Sequence, residues 1–405
     1  MKSYLSVLST PGAWRFLLPA LLARLPYAML QLGILLLVQW STGSYGAAGI
    51  ASAAAAISQA VIGPQTGRLA DRYGQARVLL PQIGVHAFAL GTLLLLASSH
   101  ASIPLLVATA ALAGASVPQV GAMVRARWAY SLGSSQKLGT AFAAESITDE
   151  LTFTMAPVLL VALSTGFSPV VALLVALALI VTGTVVFATV RTAAPEPMPV
   201  KVRSGGGVLG LRGVALLAAA FLAMGSVFGS LQVGITSYTT LLGVPAAAGA
   251  VYASFSGASV VGGLLYGAVR WRISAPVRLA AGLGLLALAT GALLFAGSLP
   301  LLYGAAGLAG FVIAPVVITG YTIIERLTPA EVRTEAFTLL TGAIGLGIAT
   351  GASLAGQLVD NFGPGLAFFV APSMTAAAAV LVLARMKRLR PAPEPVVTVR
   401  EPLPR

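Results

Sequence analysis

The chain has 405 residues, 58% hydrophobic and only 9% charged, with a mean hydropathy of +0.93; soluble domains carry roughly 25% charged residues, so that class is excluded. Its net charge of +13 would suggest nucleic acid in a soluble chain, but the basic residues fall between apolar stretches, where they anchor loops, and no nucleic-acid partner is expected. Cysteine is absent and the two histidines, His86 and His100, are far apart in sequence, which excludes disulfides and leaves no expected metal or cofactor.

Twelve apolar stretches approach the roughly 20 residues that a membrane span needs. They cover 13–40, 45–65, 78–98, 102–124, 137–163, 169–190, 212–240, 245–268, 276–298, 301–325, 332–358 and 364–385. The first is too long for a signal-peptide core and is read as a retained helix. It carries one charge, Arg24, about 15 Å deep counted from Trp14 at ~1.5 Å per residue. Tyr27 follows, and Gln31 lies two turns beyond Arg24 on the same face. Between the second and third stretches sits a dense polar island, Gly67-Arg68-Leu69-Ala70-Asp71-Arg72-Tyr73-Gly74-Gln75-Ala76-Arg77. Hydrocarbon cannot hold so many charges, so it is read as a short loop at the membrane surface, its glycines allowing a tight reversal. His86, in the third stretch, is read as a helix-packing histidine. The fourth stretch contains a Pro118 kink beside Gln119, and Arg125-Ala126-Arg127-Trp128 at its end reads as an interfacial anchor.

The fifth stretch is the most charged. It holds Glu145, Asp149 and Glu150 in Ala144-Glu145-Ser146-Ile147-Thr148-Asp149-Glu150-Leu151. Entry near Lys137 puts Glu145 about 12 Å deep and Asp149 about 18 Å deep. Those two share a helix face, while Glu150 points away. Ionisable groups inside a membrane are costly and mark functional sites, so Glu145, Asp149, Glu150 and Arg24 are the candidate proton-coupling residues. The rival reading for any pair among them is a static ion pair that holds helices together.

Residues 191–211 form the one long interior break, with Pro195, Pro197, Pro199 and Gly205-Gly206-Gly207. They are read as a linker between halves 1–190 and 212–385, and 386–405 as a basic, proline-rich, disordered tail. Internal repeats support the two halves. Leu30-Gln31-Leu32-Gly33-Ile34 returns as Leu231-Gln232-Val233-Gly234-Ile235, and Gly63, Gly67 and Arg72 return as Gly263, Gly267 and Arg272. Glutamines Gln31, Gln119 and Gln232 are candidate substrate contacts, with Tyr27, Tyr238 and Tyr321 as further ones. The glycine-rich run Thr341–Gly347 stands where the second half would carry counterparts of Glu145 and Asp149. Every lysine (Lys2, Lys137, Lys201, Lys387) and every arginine except Arg24 is read on one side of the membrane or at its edge. The excess of positive charge then puts both termini in the cytoplasm.

The pattern G-x-L-A-D-R-x-G-x-x-R at Gly67–Arg77 resembles the signature loop between helices 2 and 3 of the major facilitator superfamily. The resemblance covers nearly the whole chain. It implies an all-α fold of twelve transmembrane helices in two pseudo-symmetric six-helix bundles, with substrate near the midplane between them. It also implies a cavity lined by spans 1, 4, 7 and 10, and spans 1 and 5 as neighbours, so that Arg24 would meet Glu145 or Asp149 and leave one or two carboxylates unpartnered. In the family the loop acts as a gate latch to span 11, a role carried over to Gly67, Asp71, Arg72, Gly74 and Arg77. Trp271 stands in place of the aspartate in the second copy, implying a degenerate latch there. The drug/proton antiporter branch is the nearest pattern, but the glycine before Pro157 and the span 4 arginine of that branch are missing, with Ala110 near the expected place. The expectation is a proton-coupled, monomeric, non-enzymatic exporter of small amphipathic organic molecules in the plasma (inner) membrane. The rivals are an uptake symporter for an organic acid and a non-transporting receptor or lipid scramblase.

Overall fold

A computed structural model describes residues 2–133, 135–197, 208–244, 247–269 and 271–389. Part of the linker expected at 191–211 and most of the tail expected at 386–405 lie outside the described residues. With no water in the bilayer core, backbone N–H and C=O groups must pair within their own segment, and a helix does this. The chain accordingly forms a short helix α1 (Lys2–Leu8) and then α2 (Ala13–Thr42), α3 (Tyr45–Tyr73), α4 (Gln75–Ser98), α5 (Ile103–Ser116), α6 (Val120–Leu132), α7 (Gln136–Gly166) and α8 (Pro169–Thr189). The second half is α9 (Val214–Leu241), α10 (Ala247–Ala268), α11 (Ala275–Gly291), α12 (Leu299–Leu327), α13 (Arg333–Phe362) and α14 (Val370–Ala384). These helices make twelve candidate spans, the fourth built from α5 and α6 together. The described residues form an all-helical protein of the expected class.

Two sequence readings need correction. The polar island is not a loop: α3 runs through Asp71 to Tyr73, and α4 starts at Gln75. The reversal rests on Gly74 alone, whose φ of +92° is open to glycine but strained for other residues. The fourth span does not end near residue 124 either. Pro118 lacks the N–H that would continue the ladder and its ring clashes with the preceding turn, so α5 stops at Ser116 and α6 restarts at Val120 and continues to Leu132. Carbonyls near the break find side-chain donors: Gln82 Nε2 donates to Val117 O at 3.1 Å, and His86 Nδ1 to Ala113 O at 2.9 Å. His86 is thus a buried packing residue.

The first six spans pack mainly on one another, as do the last six. Without a hydrophobic drive between helices in lipid, close contact comes from small residues. It is tightest between α9 and α13: a Cβ on Gly225, Gly229, Gly347 or Gly351 would overlap the backbone of the facing helix. The halves meet along two seams, α3 against α13 and α7 against α10, with α12 also reaching α7. Hydrogen bonds across the seams run from mid-membrane to the side bearing both described chain ends, here the terminus side. Among the described residues, none joins the halves on the far side, so the expected cavity between them is unbridged by hydrogen bonds there.

Candidate functional site

Where the bonded seams end, near mid-membrane, lies a four-charge cluster. Arg24 of α2 donates to Glu145 of α7, and Asp149, one turn on, lies 3.6 Å from Arg24 NH1 and accepts from Arg125 of α6. Trp128 Nε1 gives Glu145 a further bond at 2.9 Å. The pairing of Arg24 with the α7 carboxylates agrees with the depth argument. The partner count does not. Arg125 and Trp128, read as an interfacial anchor, are buried inside the bundle, because the α5–α6 break leaves eight residues of α6 beyond the expected span end. Neither Glu145 nor Asp149 is therefore without a cation. Three members are nearly closed to solvent, at 5% (Arg24), 2% (Glu145) and 2% (Arg125), whereas the Asp149 side chain is 30% accessible. A signal for Arg125 existed in the sequence: Ala129–Leu132 is still mostly apolar, and the polar turn comes only at Gly133–Lys137. Neighbouring Arg127 plays a different part, bonding Gln75 Oε1 at 2.8 Å and Phe187 O at 3.1 Å and so tying α4, α6 and α8 together.

Next to Asp149 a neutral polar strip lines the first half. Tyr27 accepts from Gln59 Nε2 at 2.5 Å, Gln31 Nε2 donates to Gln59 Oε1 at 3.3 Å, and Ser52 Oγ donates to Gln31 O at 3.0 Å. Gln119, buried at the α5–α6 break, also reaches Tyr27. Thus Tyr27, Gln31 and Gln119 gather on one side, with Gln59 and Ser52 as members that the sequence reading missed. The candidates of the second half do not join them. Gln232 is exposed on α9 with no bond to Gln31, Tyr238 packs edge-on against Phe368 with centroids 5.9 Å apart, and Tyr321 is buried. Their rings meet other aromatic rings, which is why tyrosine alone did not mark a cavity wall.

Tyr321 belongs to the seal beneath the charges. The Arg125 guanidinium lies 4.1 Å from the centre of its ring, and Phe142, Phe221 and Phe337 surround it from α7, α9 and α13. This plug joins both halves. Beside it, Asp71 accepts from the backbone N–H of Thr334 at 3.1 Å and of Glu335 at 2.9 Å, capping the positive end of α13. Gly67 lets the helices close, since a Cβ there would strike Thr338 and the Glu335 backbone. Arg72 lies over the Tyr73 ring, and Arg77 is exposed. In the second copy Trp271 stacks on Tyr266 at 4.7 Å, with Arg278 over both rings, and makes no cross-half bond. Its seam is held instead by Tyr4 of α1, which donates to Gly263 O at 3.0 Å, and by Thr140, which donates to Gly267 O at 3.1 Å.

The geometry agrees with comparison to known proteins. The Major Facilitator Superfamily profile matches residues 5–299 and 245–404. Solved structures share the fold at low identity. A bacterial homologue of the iron transporter ferroportin, in an outward-facing state, superposes with TM-score 0.74 at 16% identity, covering 93% of this chain and 99% of its own. A human organic anion transporter gives 0.70 at 17% identity over 92% and 100%. The E. coli fucose:proton symporter gives 0.67 at 14% over 92% and 99%. No curated protein sequence matches significantly. Family match, twelve spans and transporter-like architecture converge: the chain belongs to the Major Facilitator Superfamily of multi-pass membrane transporters and is not an enzyme.

Proposed function

We propose that this transporter works by alternating access, coupled to protons, and exports small amphipathic, cationic organic molecules across the plasma membrane, its terminus side facing the cytoplasm. Asp149 carries the reading. It is the one member of the charge cluster with appreciable solvent access, and it shares Arg24 with Glu145, so a proton or a cationic substrate can exchange there while Glu145 still pairs with that arginine. The neutral strip of Tyr27, Gln31, Gln59 and Gln119 supplies hydrogen bonds beside it, and so apolar a chain offers few other fixed charges, a combination suited to amphipathic ligands. With the terminus side taken as cytoplasmic, closed seams on that side make this an outward-facing state in our reading.

The test is reconstitution in liposomes enclosing a pH-sensitive dye, with organic cations, organic acids and sugars added in turn. Proton release from acidified vesicles on adding a cation is the expected result, and Asp149→Asn should remove it. A second reading follows from Arg125, the additional arginine of the cluster: an organic acid could replace the Asp149 carboxylate there, as in an uptake symporter. Co-movement of protons with an added acid would select that reading.

A further inference from the structure

We propose that Glu150 is a second proton-binding site, lying within the α7–α10 seam, whose protonation holds the terminus side shut. The idea builds on the alternating-access reading but concerns a different carboxyl group and a different place. Glu150 points away from the Arg24–Asp149 cluster toward the other half of the molecule. It is 8% exposed, and no ion pair reaches it among the described residues. Its bonding partner is a hydroxyl of the opposite half: Ser259 Oγ donates to Glu150 Oε2 at 3.3 Å. Ser256 and Tyr252 also face it from α10, and Asp149 is its charged neighbour on α7. Thr154 closes the group by donating to Ser256 Oγ at 2.7 Å.

The physical consequence depends on the charge of that carboxyl group. An ionised carboxylate taken out of water without a cation is strongly disfavoured, and two serine hydroxyls do not replace its hydration. Asp149 adds repulsion rather than relief. Protonation removes both penalties and makes the carboxyl a neutral partner in a seam otherwise held by the hydroxyls of Tyr4, Thr140 and Thr154. Loss of the proton is relieved by parting α7 from α10, which readmits water from the terminus side. Glu145 and Asp149 cannot act this way, because their arginines remain beside them in the same half. The seam therefore closes with a proton bound and opens when the proton leaves.

The absence of native cysteine makes the test direct. Spin labels at Ser135→Cys, before α7, and Ile273→Cys, after α10, sit on exposed positions on either side of the seam. Inter-label distances are measured in nanodiscs from acid to alkaline pH, in sodium-free buffer and again with sodium added, for the otherwise native chain and for Glu150→Gln. The expected result is a shift to longer distances as pH rises in the native background, and a short distance at every pH in Glu150→Gln. An equal pH response in both would overturn the proposal, as would a response to sodium but not to pH. Should Glu150→Gln fail to fold, the native titration alone still decides, with Ser259→Ala expected to move its midpoint. Proton movement in liposomes with no pH-dependent distance change would sink this inference and leave the proposed function standing. A pH-dependent distance change with no substrate-linked proton movement would do the reverse.

Discussion

Arg24 and Glu145 are both almost wholly removed from water, and each is tolerable there because of the other. Taking one partner away leaves a bare buried charge, which typically costs about 3–5 kcal/mol. Arg24→Ala should therefore lower thermal stability in detergent markedly, and adding Glu145→Gln should recover part of the loss, giving a coupling energy in a double-mutant cycle. Arg125→Gln should cost less stability, because Asp149 is partly hydrated and keeps Arg24 nearby, yet it should impair transport more. At this scale the sequence was half legible. Depth counted along a helix placed Arg24, Glu145 and Asp149 together, since helical rise is fixed. Arg125 escaped because Pro118 allows one span to be built from two helices, so residues beyond the break lie deeper than an unbroken count suggests.

Helix termini decide how the halves are held. Asp71 caps α13 through two N–H groups, and a carboxylate near a helix N-terminus contributes about 0.3–2 kcal/mol through the helix dipole. Asp71→Asn should weaken the α3–α13 seam, seen as faster labelling of a cysteine placed at Thr338 from the terminus side. On the other seam, Tyr4→Phe removes a hydroxyl shared by two carbonyls of α10, a loss of about 0.5–1.5 kcal/mol per hydrogen bond; the distance between labels at Ser135→Cys and Ile273→Cys should lengthen in step. Spans and the Asp71 contact could be read from apolar length and a motif. The role of Tyr4 could not, because nothing in Lys2–Leu8 announces a partner some 260 positions away; only the folded seam brings them together. Trp271 signalled what was missing from that side, though not what took its place.

Across the molecule the chemistry is divided. The first half holds the buried charge cluster and the polar strip, and the second contributes glycine-rich packing and most of the aromatic plug. Arg125 over Tyr321 is where the two meet. Transport by alternating access requires both seams to part, so a bifunctional thiol reagent joining Ser135→Cys to Ile273→Cys should abolish uptake and release alike, and reduction of a cleavable linker should restore both. If transport survives complete cross-linking, the halves do not need to separate on that side.

The glycine contact between α9 and α13 carries a mechanical consequence. Gly225 and Gly229 lie near the middle of α9, and Gly347 and Gly351 near or just past the middle of α13, with no side chain between the backbones to deform. The two helices form a stiff spar, gripped near its centre and about 45 Å long on the α13 side, with the Asp71 contact at one tip. Tilting such a spar about its middle moves its tips in opposite directions. Releasing the Asp71 end would then swing the other end inward across the cavity between the halves, so one pivot, rather than two independent doors, would keep the passage from standing open at both mouths.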